Sequence, residues 1–110
     1  MAIERPITIT TKQGGGSPRI TFSPDPLQAK EADQIFWTNN DTQPHWPMRT
    51  DGTLPSQIWM EYPIPRDTSS SGVTFFNPDT ITNQRTPYTV EYFCAVEGHE
   101  GETGTIKVTS

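Results

Sequence analysis

The stretch Tyr88-Thr89-Val90-Glu91-Tyr92-Phe93-Cys94 decides the fold class. It follows Pro87, and strand side chains alternate, so Tyr88, Val90, Tyr92 and Cys94 share one face. β-Branched and aromatic residues favour this extended conformation. Working outward toward the C-terminus, Thr103 to Thr109 reads as a closing strand, with Ile106 and Val108 pointing one way. Toward the N-terminus, Val73 to Phe76 is stopped by Asn77-Pro78-Asp79, and His45 to Met48 follows Pro44 as a short strand. Ile35-Phe36-Trp37-Thr38 ends in the turn formers Asn39-Asn40-Asp41. Leu27 to Lys30, Arg19 to Ser23 and Ile7 to Thr10 complete the set, with Pro24-Asp25-Pro26 turning the chain. Seven or eight short strands separated by turn signals predict an all-β sandwich or barrel. The stretch from Asp51 to Ser71 shows no clean period; it reads as a long connection with a short strand near Ile58. Gly14 to Gly16 and Ser69 to Gly72 read as loops.

Composition supports this class. A chain of 110 residues predicts one domain, residues 1–110. Leu, Ile, Val and Phe fill 20 of the 110 positions, a share that by itself points toward disorder. The net charge of −5 is modest, however, and the aromatic residues each bury a large area. Seventeen threonines favour strands and eleven prolines mark turns and edges, while two leucines and four alanines leave little for helices. The acidic balance excludes a basic nucleic-acid footprint. A single cysteine excludes an internal disulfide, a zinc finger and a cysteine-ligated cluster. No apolar run approaches the roughly 20 residues of a membrane span. The start Met-Ala-Ile-Glu-Arg-Pro lacks the basic and apolar regions of a signal peptide.

The chemistry-bearing residues are few and well placed. His45 follows the Asn-Asn-Asp turn, Cys94 ends the strongest strand, and His99 lies five residues on, across a Val-Glu-Gly turn. One loop between two strands brings Cys94 and His99 to a point, and a neighbouring loop brings His45 to it from the side. Two imidazoles and a soft thiolate form a trigonal set suited to both Cu(I) and Cu(II). Taken singly, each has a plainer reading. A lone histidine is more often a hydrogen-bonded loop or core residue, and a buried cysteine behaves as a small hydrophobe. The joint placement is what favours a metal.

These segments resemble the cupredoxins, small blue-copper proteins of the plastocyanin, pseudoazurin and amicyanin type. The resemblance runs over most of the chain. Phe22-Ser23-Pro24 through Phe36-Trp37-Thr38-Asn39-Asn40-Asp41 resembles the strand pair leading to the first ligand loop. Asn39 to His45 resembles the Asn-rich turn with Pro-His, and Tyr88 to Cys94 resembles the Tyr-aromatic-Cys strand. His99 stands at the second histidine, and Gly104-Thr105-Ile106-Lys107-Val108 resembles the closing strand. The resemblance implies a Greek-key β-sandwich, a single cupredoxin-like domain with one copper ion. It implies electron exchange with protein redox partners, no enzymatic activity of its own, a monomer, and a periplasmic or extracellular location.

Two departures from the family pattern stand out. Many relatives carry a methionine shortly after the second histidine; counting back from Gly104 reaches Glu102 instead. As an axial ligand, a carboxylate is harder than a thioether. It favours Cu(II), lowers the reduction potential and moves the colour from blue toward green, red or purple. Alternatively Glu102 points to solvent, as glutamates usually do, and the axial position is open or filled by water or a backbone carbonyl. Met48 and Met60 read better as core or cover residues than as ligands. Trp46 stands where relatives often place a small or polar residue that ties the ligand loops. It either shields the metal or packs between Pro44 and Pro47, with Asn40 a candidate for the missing tie. Trp37, inside an alternating strand, reads as core.

Glu91, Glu97, Glu100 and Glu102 form either a solvated face or a surface that steers toward a basic partner. Pro44, Trp46 and Pro47 are a candidate apolar docking patch. The favoured function is a mononuclear type 1 copper protein carrying single electrons. Three other readings are a copper enzyme or small-molecule sensor with an open axial site, a copper-storage module, and a metal-free domain of the same fold.

Overall fold

Alternation along the chain becomes alternation of burial. In the computed structural model, which describes residues 3–11, 20–51, 58–99 and 101–110, β1 spans Glu4–Thr11 and buries Ile7 and Ile9. Strands β2 (Ile20–Ser23) and β3 (Leu27–Lys30) each bury every second residue. Strand β4 (Gln34–Asn39) buries Ile35, Trp37 and Asn39; β8 (Tyr88–Cys94) buries Tyr88, Val90, Tyr92 and Cys94; β9 (Thr103–Thr109) buries Gly104, Ile106 and Val108. The remaining strands are short: β5 (Pro47–Arg49), β6 (Thr68–Ser69) and β7 (Val73–Thr74). Nine strands and no helix occur among the described residues, against the seven or eight strands expected.

The strands form two mixed sheets. One has the order β2-β1-β4-β6, with β7 also on β4; the other has the order β3-β9-β8-β5. Strands β1 and β4 run parallel, as do β3 and β9, while β8 pairs antiparallel with both β5 and β9. The buried faces meet in one core of Ile7, Ile9, Phe22, Ile35, Trp37, Val90, Tyr92, Ile106 and Val108 with their neighbours. The aromatic weight of the composition is used here. Trp37 stacks on Trp59 with ring centroids 5.1 Å apart, and Tyr92 meets Trp37 edge-on at 5.4 Å. Large rings replace the missing aliphatic side chains.

The long connection is where sequence and structure part. Ile58 lies outside any strand, and Gly14 to Gly16 and Arg19 lie outside the described residues. Pairing in the connection occurs instead at Ile64, which bridges to His45, and at Thr68–Ser69, which joins β4. The expected Ser69–Gly72 loop is thus partly strand. Ser70 continues the attachment: its N–H donates to the Trp37 carbonyl at 2.8 Å, and its Oγ accepts from the Trp37 N–H at 2.9 Å. An exposed edge strand has no buried face, so it leaves no apolar alternation to read.

Candidate metal centre

His45 is placed by the turn that follows β4. The side chain of Asn39, fully buried, donates to the Gln43 carbonyl at 2.8 Å and to the Ile64 carbonyl at 3.0 Å. Its Oδ1 accepts the Asp41 N–H at 2.9 Å. Backbone bonds then clamp His45 to Ile64 in both directions, at 2.7 and 3.2 Å. His45 is fully buried as a result.

Cys94 and His99 are placed by the β8–β9 connection. Strand pairing holds Phe93 opposite Thr103, and the Cys94 N–H donates to the Glu102 carbonyl at 2.9 Å. Between them the chain makes two tight closures, from the His99 N–H to the Val96 carbonyl and from the Glu102 N–H to the His99 carbonyl, each 2.9 Å. Gly98 adopts a φ of 86°, a left-handed value that favours glycine. This loop aims His99 and Glu102 back at the sulfur.

The four side chains converge. One donor atom from each of His45, Cys94, His99 and Glu102 lies within 4.8 Å of the others. Cys94 Sγ is 3.7 Å from Nδ1 of both His45 and His99. Glu102 Oε1 is 3.0 Å from His45 Nδ1 and 3.3 Å from His99 Nδ1.

These separations can be tested against a shared ion. Ligands bonded at about 2.0–2.3 Å stand about 3.7 Å apart when opened by roughly 115–120°, and about 3.0–3.3 Å apart at roughly 90–105°. Both sets of separations are therefore ones that donor atoms sharing a single ion could adopt. The donor set fits a first-row metal ion with an affinity for thiolate and imidazole.

The sulfur is held as a thiol by its surroundings. Burial pushes the Cys94 thiol up to about 11, and the Glu102 carboxylate acts in the same direction, against hydrogen bonds from the Trp46 and Val96 backbone. Without metal, the thiol keeps its proton at neutral pH, so metal binding must displace it. The Trp46 N–H, 3.3 Å from Sγ, donates toward the charge that then develops.

Several sequence readings are resolved here. Glu102 is 4% exposed, so it faces the cluster and does not belong to the acidic surface. Glu91 and Glu97 are exposed, and Glu100 lies outside the described residues. The tie between the two loops comes from the Trp46 backbone, whose carbonyl accepts the Ala95 N–H at 2.8 Å; Asn39 instead joins the His45 turn to Ile64, and Asn40 is exposed. The Trp46 ring packs against the core and donates from Nε1 to the Met60 carbonyl at 2.9 Å. Pro47 is buried, so of Pro44, Trp46 and Pro47 only Pro44 and part of Trp46 reach the surface. Met60 and Trp37 belong to the core, and Met48 is buried in β5.

Sequence reasoning missed Asp41, which it read only as a turn former. Its carboxylate sits 2.8 Å from His45 Nε2. An acid four residues before a candidate ligand was the available signal.

No protein-family model and no curated protein sequence matches the chain. Solved structures do. Amicyanin from Paracoccus versutus superposes with a TM-score of 0.65 at 16% identity, over 97% of this chain and 80% of that one. A purple cupredoxin from Nitrosopumilus maritimus gives 0.66 at 19% identity, over 94% and 98%. The chain has the cupredoxin fold. A reduced Cu(I) form of an amicyanin variant is a further match, at 0.62 and 17% identity over 97% and 81%. In this fold the turn after β4 brings His45 to the other three residues of the cluster. The end of β8 supplies Cys94, and the β8–β9 connection supplies His99 and Glu102.

Proposed function

We propose that this cupredoxin-fold chain is a mononuclear copper protein that carries single electrons between protein partners and is not itself an enzyme. His45, Cys94, His99 and Glu102 would hold the ion. The observation that carries the reading is the pair of distance classes, 3.7 Å between sulfur and each imidazole and 3.0–3.3 Å from the carboxylate to each. Copper, when bound, supplies the Cu(I)/Cu(II) couple.

The chain's own residues do the rest. His45 and Cys94 are fully buried, so water is kept from two of the ligands. The His99 side chain is 15% exposed and gives the site its edge toward a partner. The clamped loops hold one arrangement for both oxidation states, which keeps the structural cost of electron transfer small. The buried Glu102 carboxylate beside both imidazoles would leave little room for an exogenous ligand, which supports electron transfer over an open-site enzyme or sensor. Its hard oxygen favours Cu(II), lowers the potential and moves the absorption away from blue. That a fold neighbour is called a purple cupredoxin supports such a shift.

The net charge of −5, with Glu91 and Glu97 exposed, favours a basic redox partner and an on-rate that falls with salt. The chain acts as a monomer, outside the cytoplasm. Optical and paramagnetic resonance spectra of the copper-loaded protein test the site. Intense thiolate-to-copper absorption is expected in the wild type and none in Cys94→Ser. Strong colour retained in that variant would overturn the assignment. A fast reversible couple in voltammetry separates electron transfer from storage.

A further inference from the structure

Asp41 is buried, with a side chain 0% exposed, in a turn where aspartate ordinarily faces water. Its two oxygens have distinct partners. Oδ2 meets His45 Nε2 at 2.8 Å and the Gln43 N–H at 3.4 Å; Oδ1 accepts the Thr11 hydroxyl from the end of β1. The Asp41 N–H is itself held by Asn39. The carboxylate is thus fixed from both sides and aimed at the ring nitrogen of His45 that faces away from the cluster.

We infer that Asp41 is a positioning residue for the metal centre. It accepts the hydrogen bond of His45 Nε2–H, fixing the tautomer that leaves Nδ1 free to bind, and it adds electron density to the ring. This inference rests on the copper reading. A ligand histidine whose other nitrogen meets a carboxylate is a better donor than one bonded to water. The extra donation favours the more highly charged ion, so Asp41 and Glu102 act in the same direction on the potential. Thr11 shares the carboxylate and links the centre to β1, a strand that contributes no ligand.

The test compares wild type, Asp41→Asn and Asp41→Ala in three measurements. In the diamagnetic Cu(I) and zinc forms, a slowly exchanging His45 Nε2–H proton should appear by nitrogen-edited NMR, shifted in the Asn variant and lost in the Ala variant. Zinc affinity, measured by competition with a chelator, should fall about 10–100-fold in the Ala variant. The Asn variant keeps an acceptor but not the charge. Its ratio of Cu(II) to Cu(I) affinity should fall about tenfold, a rise in potential of about 59 mV for a one-electron couple. A purely structural Asp41 would lower the melting temperature and leave the Nε2–H resonance and the potential unchanged, which would overturn the inference. Should Asp41→Ala not fold, Asp41→Asn decides alone. Wild type that takes up neither zinc nor copper would overturn the copper reading instead, before any variant is compared.

Discussion

At the residue scale, the centre is a contest between burial and donation. Glu102 is the residue whose role the sequence left most open, because a glutamate beside Glu97 and Glu100 looks like surface. Its burial against two imidazoles removes that reading. Glu102→Met exchanges a hard donor for a soft one, so the reduction potential should rise and the absorption should move toward blue. Voltammetry and an optical spectrum check this; an unchanged spectrum would place Glu102 outside the coordination sphere. His99→Ala opens the half-buried edge, and added imidazole should restore the colour of the copper form. His45→Ala, in a fully buried position, should not be rescued to the same extent. The convergence of His45, Cys94 and His99 was legible because each stands at a strand end or turn at a characteristic spacing. Asp41 was not, because its value depends on a side-chain direction that turn propensity does not specify.

At the element scale, two features fix β5, β8 and β9, the strands that flank the cluster. The first is the close approach of β9 to β8. A Cβ on Gly104 would stand 2.2 Å from the Tyr92 ring, which is fully buried and cannot swing away. Gly104→Ala should therefore destabilise the fold by at least about 1–3 kcal/mol, read as a lower urea midpoint; an unchanged midpoint would show that the ring has room. The second is the Arg49 cluster at the end of β5. Arg49 makes paired bonds to Asp79 at 2.7 and 2.9 Å and to Asp51 at 2.6 and 3.0 Å, and its guanidinium lies 5.8 Å from the Phe75 ring centroid. Burial would raise the Asp79 pKa, yet hydrogen bonds from Arg49 and Thr82 hold it down to about 2. A depressed folded pKa stabilises the protein above the ordinary value of 3.8, and that stability is lost as pH falls toward 2. Wild type should thus lose more stability than Asp79→Asn between pH 6 and pH 3, measured by urea unfolding. Equal losses would show that the pair does not govern the acid limb. The main strands were legible from alternation. The pairing at Thr68–Ser69 was not, because an exposed edge leaves no pattern.

At the scale of the whole molecule, four donors from two separate chain regions meet only in the folded state. Metal binding is therefore linked to folding. Copper or zinc in excess should raise the thermal midpoint, and a metal present at 1,000 times its Kd adds about 4 kcal/mol. Calorimetry with and without metal checks this, and Cys94→Ser should abolish most of the gain. The sequence by itself determined the all-β class and the course of the main strands, and it pointed to the convergence of His45, Cys94 and His99. Those follow from period, turn chemistry and spacing, which are local and printed in the chain. Only the tertiary structure decided that Glu102 faces inward, that Asn39 joins the His45 turn to Ile64, that the Asp41 carboxylate meets His45 and that Ser69 and Ser70 attach to β4. Each of these depends on which distant backbone stands opposite a polar side chain. A polar residue's type permits both a solvated and a buried, partnered role, and only the completed packing selects one.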